Sequence, residues 1–175
     1  HPDVGRSLSA LALLLATDRC PVYCRHCTRR RLTLGEAAGI GRAALDEAVA
    51  YVRAHPGIRD VIVSGGDPLS LSDERLDEIL GALRAVPHVQ ILRVATRAPV
   101  VCPMRIDAAL AVMLRRHAPL FVVTHFNHPK ELTADAAEAV DKLTRAGCPV
   151  GNQTVLLRGI NDDVATMKAL CEGLV

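Results

Sequence analysis

Three cysteines stand close together near the start of the chain, in the string CPVYCRHC. Cys20, Cys24 and Cys27 have the spacing C-x3-C-x2-C. Thiolates are favoured ligands of iron–sulfur clusters, and three of them can hold three corners of a cubic cluster. The fourth iron then has no protein ligand, and an open position on a metal is where a small molecule can bind and react. The spacing therefore predicts a reactive metal centre rather than a purely structural one.

A zinc site is the main alternative explanation of these cysteines, and incidental buried thiols are another. Structural zinc takes four ligands, commonly in paired C-x2-C or C-x2-C and H-x3-H spacings. Only three cysteines cluster in this chain, with His26 between two of them. The ligand count therefore favours the iron–sulfur cluster. Cys102, Cys148 and Cys171 are scattered along the chain and are expected to be core or surface thiols.

Short β-branched runs recur along the rest of the chain at nearly constant intervals. After an apolar run at 11–17, they begin near Asp60, Ile91, Leu120 and Pro149, at intervals of 31, 29 and 29 residues. Helical patterns occupy 44–55, 73–86, 106–117, 134–146 and 163–174. Strand–helix units of about 30 residues indicate right-handed βαβ crossovers and a parallel sheet. The sequence thus predicts an α/β fold of five βα units, a partial (β/α) barrel rather than a closed one of eight strands.

Polar and thiol side chains follow these strands at their carboxyl ends. Cys20 follows the first predicted strand, and residues 64–67 follow the second. Residues 96–97 come after the third strand, residues 125–128 come after the fourth, and residues 152–153 lie within the fifth. Parallel α/β folds bind ligands at this edge of the sheet. We therefore expect these residues to share one mouth of the partial barrel.

Two of these segments carry candidate binding residues of their own. The string SGGD at 64–67 follows a strand and precedes a helix. Its glycines either close a tight turn or let a ligand approach the backbone. The string THFNHP places His125 and His128 at a strand end. A single histidine there is more often structural, and we expect that role for His128.

Composition and charge exclude several other functions. The chain has 175 residues, a formal net charge of +2 and no stretch near the about 20 apolar residues of a membrane span. Its only basic cluster, Arg29-Arg30-Arg31, has no row of aromatic residues beside it on which bases could stack, so neither a nucleic-acid nor a membrane partner is expected.

Six cysteines in a chain of this size favour a reducing compartment, the cytoplasm, over disulfides. We expect a single domain over 1–175.

The longer string CPVYCRHCTRRRL, with DVIVSGGDPLSLSDE, RAPVVCPMRI, THFNHPKELT and GNQTVLLRGIND, resembles the lysine 2,3-aminomutase family of radical S-adenosylmethionine enzymes. The resemblance implies a radical S-adenosylmethionine core with a [4Fe–4S] cluster on Cys20, Cys24 and Cys27. It implies S-adenosylmethionine binding by Ser64, Gly65, Gly66, Asp67, His125 and Gln153. It also implies that Arg29 binds the α-carboxylate of the substrate, for which a guanidinium offers a matching planar fork.

By this resemblance the chain is an isomerase that cleaves S-adenosylmethionine reductively and drives a shift of an amino group from C2 to C3 of an amino acid. The implied partners are an amino-acid substrate and an electron donor such as flavodoxin or ferredoxin, and a homo-oligomer is one option. The family also uses pyridoxal 5′-phosphate, but its lysine for that cofactor lies beyond the position of Val175. We therefore expect a truncated core without the pyridoxal-binding portion.

Two alternatives stay open from the residues alone, and no single catalytic residue is assigned. The first is a related aminomutase that acts on glutamate, arginine or a lysine of a protein. The second is a zinc-stabilised scaffold without catalysis.

Overall fold

The structure is a computed structural model that describes residues 4–6, 10–31, 33 and 39–175. Six strands form one sheet in sequence order: β1 Val4–Arg6, β2 Leu11–Thr17, β3 Asp60–Gly65, β4 Ile91–Ala95, β5 Leu120–Thr124 and β6 Val150–Asn152. Strands β2 to β6 are parallel, and β1 pairs antiparallel with β2. The five parallel strands confirm the predicted α/β sheet. Strand β1 has no counterpart in the prediction, because three residues are too few to show an alternating pattern.

The helices are α1 Arg42–Ala54, α2 Asp73–Arg84, α3 Ala98–Val101, α4 Ala108–Arg115, α5 Ala134–Arg145 and α6 Val164–Gly173. All except the short α3 lie within two residues of the predicted segments at each end. Four helices begin at a side-chain oxygen that accepts a backbone N–H three residues later: Ser72, Asp107, Thr133 and Asp163. No helix in the described part of the chain is both long and apolar enough to cross a bilayer.

The hydrophobic core lies between one face of the sheet and the helices. Right-handed crossovers between sequential parallel strands place the connecting helices on the same face. Val63, Val94 and Val122 are neighbours in register on β3, β4 and β5, and all three are fully buried on this face. Leu80 of α2 and Leu114 of α4 belong to the same apolar cluster. This layer fixes the strands against one another, so their carboxyl ends form a single edge.

The opposite face of the sheet is less deeply buried and carries charged side chains. Arg93 of β4 donates from Nε to both carboxylate oxygens of Asp60 on β3, at 3.0 and 2.9 Å. The same guanidinium lies 5.6 Å from the ring centroid of Phe121 on β5, a cation–π contact. This face is the open interior of the partial barrel.

Helix α4 allows a direct test of the core layer. Leu114 is fully buried, whereas Val112 on the same helix is 61% exposed. Leu114→Ala should lower the free energy of unfolding by about 2–5 kcal/mol, because it leaves a cavity in the core. Val112→Ala should change it by about 0.5 kcal/mol or less. Urea unfolding followed by circular dichroism measures both values, and equal losses would contradict the position of this layer.

Candidate active site at the carboxyl edge of the sheet

The three clustered cysteines lie on the loop directly after β2. Two successive turns shape this loop: the N–H of Cys27 donates to the carbonyl of Cys24 at 3.0 Å, and the N–H of Arg30 donates to that of Cys27 at 3.3 Å. Just before them, Tyr23 has a φ of 50°, a left-handed conformation that is uncommon outside glycine. The coiled loop leaves Cys20, Cys24 and Cys27 half-buried and unpaired by disulfides.

The turn after β3 packs directly against the backbone that enters the cysteine loop. Gly66 donates its N–H to the carbonyl of Thr17 at 2.6 Å, and Asp67 donates to that of Arg19 at 2.8 Å. A Cβ on Gly65, whose φ is 124°, would lie 2.3 Å from the carbonyl oxygen of Thr17. A Cβ on Gly66 would lie 2.2 Å from the carbonyl oxygen of Arg19. Chain packing alone therefore requires both glycines, and their contact with a cofactor stays a prediction.

The carboxylate of Asp67 is buried and bonded entirely within the protein. Its Oδ1 accepts the hydroxyl of Thr96 at 2.7 Å and the N–H of Leu69 at 3.0 Å. Its Oδ2 accepts the N–H of Arg97 at 2.8 Å. Burial raises the pKa of this carboxyl, and the hydrogen bonds from Thr96 and the backbone act in the opposite direction. Asp67 thus ties the turn after β3 to the end of β4, and its predicted role toward S-adenosylmethionine stays a prediction.

The side chain of Arg97 joins three parts of this edge. Its Nη1 donates to Sγ of Cys24 at 3.0 Å, and its Nε donates to the carbonyl oxygen of His125 at 3.2 Å. The remaining Nη2 donates to Oε1 of Glu131 at 2.5 Å. The other carboxylate oxygen of Glu131 accepts the N–H of Asn127 at 2.5 Å. The sequence indicates Arg97 only as a polar residue after the third strand and gives no signal for Glu131, because these contacts join residues 73 and 34 positions apart.

His26, between two of the cysteines, shares this environment. Partial burial lowers the pKa of its imidazole, and the nearby Arg97 and His125 lower it further, while Glu131 opposes them. These surroundings favour the neutral form of the ring. The cysteine loop thus lies within electrostatic reach of groups that follow β4 and β5.

The structure brings His125 and Gln153 together beyond the ends of β5 and β6. Nδ1 of His125 lies 2.6 Å from the backbone carbonyl oxygen of Gln153. Because that oxygen can only accept, Nδ1 is the donor of this hydrogen bond. The side-chain amide of Asn152 accepts from the N–H of Phe126 at 2.6 Å and donates to its carbonyl at 3.0 Å. This amide holds the segment that carries Gln153, whose own side chain is exposed.

The remaining predicted residues also lie at this edge. Ser64, near the carboxyl end of β3, is 1% exposed, and its hydroxyl has no hydrogen-bond partner among the described residues. An unpaired buried hydroxyl is costly, and a polar ligand at this edge would satisfy it. Arg29 is half-buried in the second turn of the cysteine loop. Nδ1 of His128 accepts the N–H of Lys130 at 3.1 Å, a capping bond that supports a structural role for that histidine.

The donor set of the cysteine loop decides which metal group it can hold. Within the described ranges, no three His, Cys, Asp or Glu side chains are arranged to hold a metal ion. A structural zinc ion needs four ligands around one centre. In a cubic cluster each thiolate binds a different iron, so its ligands need not meet around one ion. Three half-buried thiols on one loop match the number of protein ligands that a [4Fe–4S] cluster with one open iron needs, and their role as its ligands stays a prediction.

A parallel sheet with helices on one face and a loop of three thiols at its carboxyl edge defines a cofactor-binding core of the partial-barrel class. The sequence profile of the Radical SAM superfamily, where SAM is S-adenosylmethionine, matches residues 14–170. The chain belongs to the radical SAM superfamily. Membership implies a [4Fe–4S] cluster and S-adenosylmethionine as cofactors.

Individual relatives are similar over most of this chain. It is 50% identical to the L-lysine 2,3-aminomutase of Fusobacterium nucleatum and 48% identical to that of Bacillus subtilis, each over 163 residues. It is 43% identical to the glutamate 2,3-aminomutase of Clostridioides difficile, also over 163 residues. Each comparison covers 93% of this chain but only 38%, 35% and 39% of the respective relative. These similarities confirm the resemblance seen in the motifs, and the chain spans little more than a third of the relatives' length.

The close packing of the glycine turn can be tested with one methyl group. Gly66→Ala should lower the free energy of unfolding by about 1–3 kcal/mol, because the new Cβ meets the backbone carbonyl of Arg19. Gly151→Ala is the matched control, since a Cβ there meets nothing within 4 Å. Urea unfolding gives both values. If Gly66→Ala were as stable as Gly151→Ala, the proposed contact between turn and loop would be wrong.

Proposed function

We propose that this chain is the radical S-adenosylmethionine core of an aminomutase, an isomerase that moves an amino group between C2 and C3 of an amino acid. The observation that carries the proposal is the half-buried loop of Cys20, Cys24 and Cys27 at the carboxyl edge of the sheet, joined to β4 through Arg97. When bound, the cluster and S-adenosylmethionine supply an electron and an organic radical that starts the rearrangement.

The residues of the chain hold and orient these cofactors. The three thiolates would each bind one iron and leave the fourth iron for S-adenosylmethionine. The segment 64–67 begins with Ser64 near the end of β3. The buried hydroxyl of Ser64 has no partner among the described residues, and we propose that it bonds to the cofactor. Nδ1 of His125 is taken up by the backbone of Gln153, so its Nε2 and the exposed side-chain amide of Gln153 are the groups that would hydrogen-bond to the nucleoside part of the cofactor.

Arg29 is the residue that we propose for substrate binding. It follows Cys27 by two positions, and its guanidinium can bind a carboxylate through two parallel hydrogen bonds. A substrate held there by its α-carboxylate would lie beside the reactive metal. Substrate orientation is then set by the same loop that holds the cluster.

We propose lysine as the substrate, because five relatives named L-lysine 2,3-aminomutase are 43–50% identical to this chain. The glutamate 2,3-aminomutase lies at the lower end of that range, at 43%. Pyridoxal 5′-phosphate is the further cofactor proposed for the whole enzyme, and no residue of this chain is assigned to it. A flavodoxin or ferredoxin would reduce the cluster. The cytoplasm suits this chemistry, since its reducing conditions preserve thiolates.

Anaerobic reconstitution with iron and sulfide tests the proposed cluster. The protein should become brown, bind about four irons per chain and form 5′-deoxyadenosine from S-adenosylmethionine under a strong reductant. Cys24→Ala should lose this cleavage without losing the fold, because the residue lies on a loop outside the apolar core. Cys171→Ala, which changes an exposed thiol on α6, should keep both cluster and cleavage.

Two outcomes would contradict the proposal. Formation of 5′-deoxyadenosine by Cys24→Ala would remove that residue from the ligand set. A colourless wild-type protein that takes up one zinc ion would favour the scaffold without catalysis.

Arg29→Lys separates substrate binding from cofactor cleavage. The substitution keeps the charge but loses the planar fork, so amino-acid binding should weaken by roughly tenfold or more, equivalent to about 1.4 kcal/mol. Cleavage of S-adenosylmethionine in the absence of amino acid should be unchanged. Calorimetric titration with lysine and chromatography of 5′-deoxyadenosine measure the two effects. Arg31→Lys, at an exposed position on the same loop, is the control, and equal loss of binding and cleavage in Arg29→Lys would overturn the substrate role.

A further inference from the structure

A guanidinium lies directly against one of the proposed cluster ligands. Nη1 of Arg97 is 3.0 Å from Sγ of Cys24, within hydrogen-bond distance for a sulfur acceptor. The Arg97 side chain is only 16% exposed, so water screens its charge weakly. By contrast, Arg25 and Arg30 on the cysteine loop itself are exposed.

The position of this guanidinium is fixed by bonds on every side. The backbone N–H of Arg97 donates to the buried carboxylate of Asp67 at 2.8 Å. Its Nε donates to the carbonyl of His125, and its Nη2 donates to Glu131. Because each donor group points at a different acceptor, the side chain cannot turn away from Cys24 without breaking several hydrogen bonds.

A fixed donor beside a cluster thiolate changes the energy of adding an electron. Reduction makes the cluster more negative, and a nearby positive charge or a hydrogen bond to sulfur stabilises that reduced form. Arg97 therefore favours reduction. Glu131 brings a negative charge to the same guanidinium, so it partly offsets this effect.

We propose that Arg97 is a positioning residue that raises the reduction potential of the cluster through its bond to Cys24, with Glu131 limiting the rise. This inference rests on the proposed function. It assigns to the pair a role that no motif in the sequence indicates, because the two residues are not near the cysteines in sequence.

The potential of the reconstituted wild-type protein and its variants can be measured by titration with dithionite and mediators, followed by electron paramagnetic resonance of the reduced cluster. Arg97→Met should lower the ratio of reduced to oxidised cluster at a fixed potential by about tenfold, which for one electron corresponds to about 59 mV. Glu131→Gln should shift this ratio in the opposite direction, since it removes only the negative charge. Arg97→Lys, which keeps the charge, should shift it less than Arg97→Met.

Arg84→Met is the matched control. Arg84 is a half-buried arginine on α2 that donates to the carbonyls of Val89, His117 and Pro119, at the opposite, amino edge of the sheet. Removing it breaks a comparable number of internal hydrogen bonds without touching a thiol in the described contacts. Its cluster should titrate at the wild-type potential.

The outcomes distinguish this inference from the proposed function. If the wild-type protein assembles no cluster, both fail. If it assembles one and Arg97→Met leaves the potential unchanged, only the inference is overturned. Shifts of the same sign in Arg97→Met and Glu131→Gln would indicate a merely structural effect and would also overturn it. If Arg97→Met assembles no cluster, the other two variants provide the test. Arg97→Lys should lower the reduction potential and Glu131→Gln should raise it, and any other pair of signs would overturn the inference.

Discussion

The whole site depends on the close approach of two backbones. The turn that contains Gly65 and Gly66 lies against the chain from Thr17 to Arg19, and it continues the pairing of β2 and β3 by two further hydrogen bonds. No side chain fits between these segments. The cysteine loop begins at once after this contact, so the sheet determines where the loop starts. The apolar layer between sheet and helices in turn holds the sheet. The position of the thiols is thus set by the same packing that makes the fold.

From this contact, a chain of polar bonds extends across the edge of the sheet. Asp67 follows the glycines and binds the end of β4 through its buried carboxylate. Arg97, at that strand end, binds the cysteine loop on one side and Glu131 on the other. A buried carboxylate and a mostly buried guanidinium are costly unless they are fully paired, and here each finds several partners. The edge is therefore organised by the protein's own groups, and a cofactor would meet a prepared surface.

Much of this architecture is predictable from the sequence, for definite reasons. Strand–helix units of nearly constant length produce a parallel sheet, and parallel strands bring their carboxyl ends to one edge. Cys20 and His125 each follow a strand, so both had to lie at that edge. Local caps such as Ser72 fix helix starts within two residues. The role of Glu131 was not predictable, since its pairing with Arg97 depends on long-range packing. The glycines show a further limit, because the sequence suggests ligand approach and cannot reveal that a neighbouring backbone fills the space.

The sequence separation of the Arg97 contacts also bears on the order in which the protein can form during synthesis. Each strand pairs with its neighbour in the chain, and no pairing among the described strands joins residues as far apart in sequence as Arg97 and Cys24. The bond from Arg97 to Cys24 spans 73 residues, and its carboxylate partner is synthesised 34 residues later still. The nascent cysteine loop therefore leaves the ribosome well before the residues that complete its surroundings. Its thiols stay open to metals and oxidants until β4 and the turn after β5 have joined the sheet.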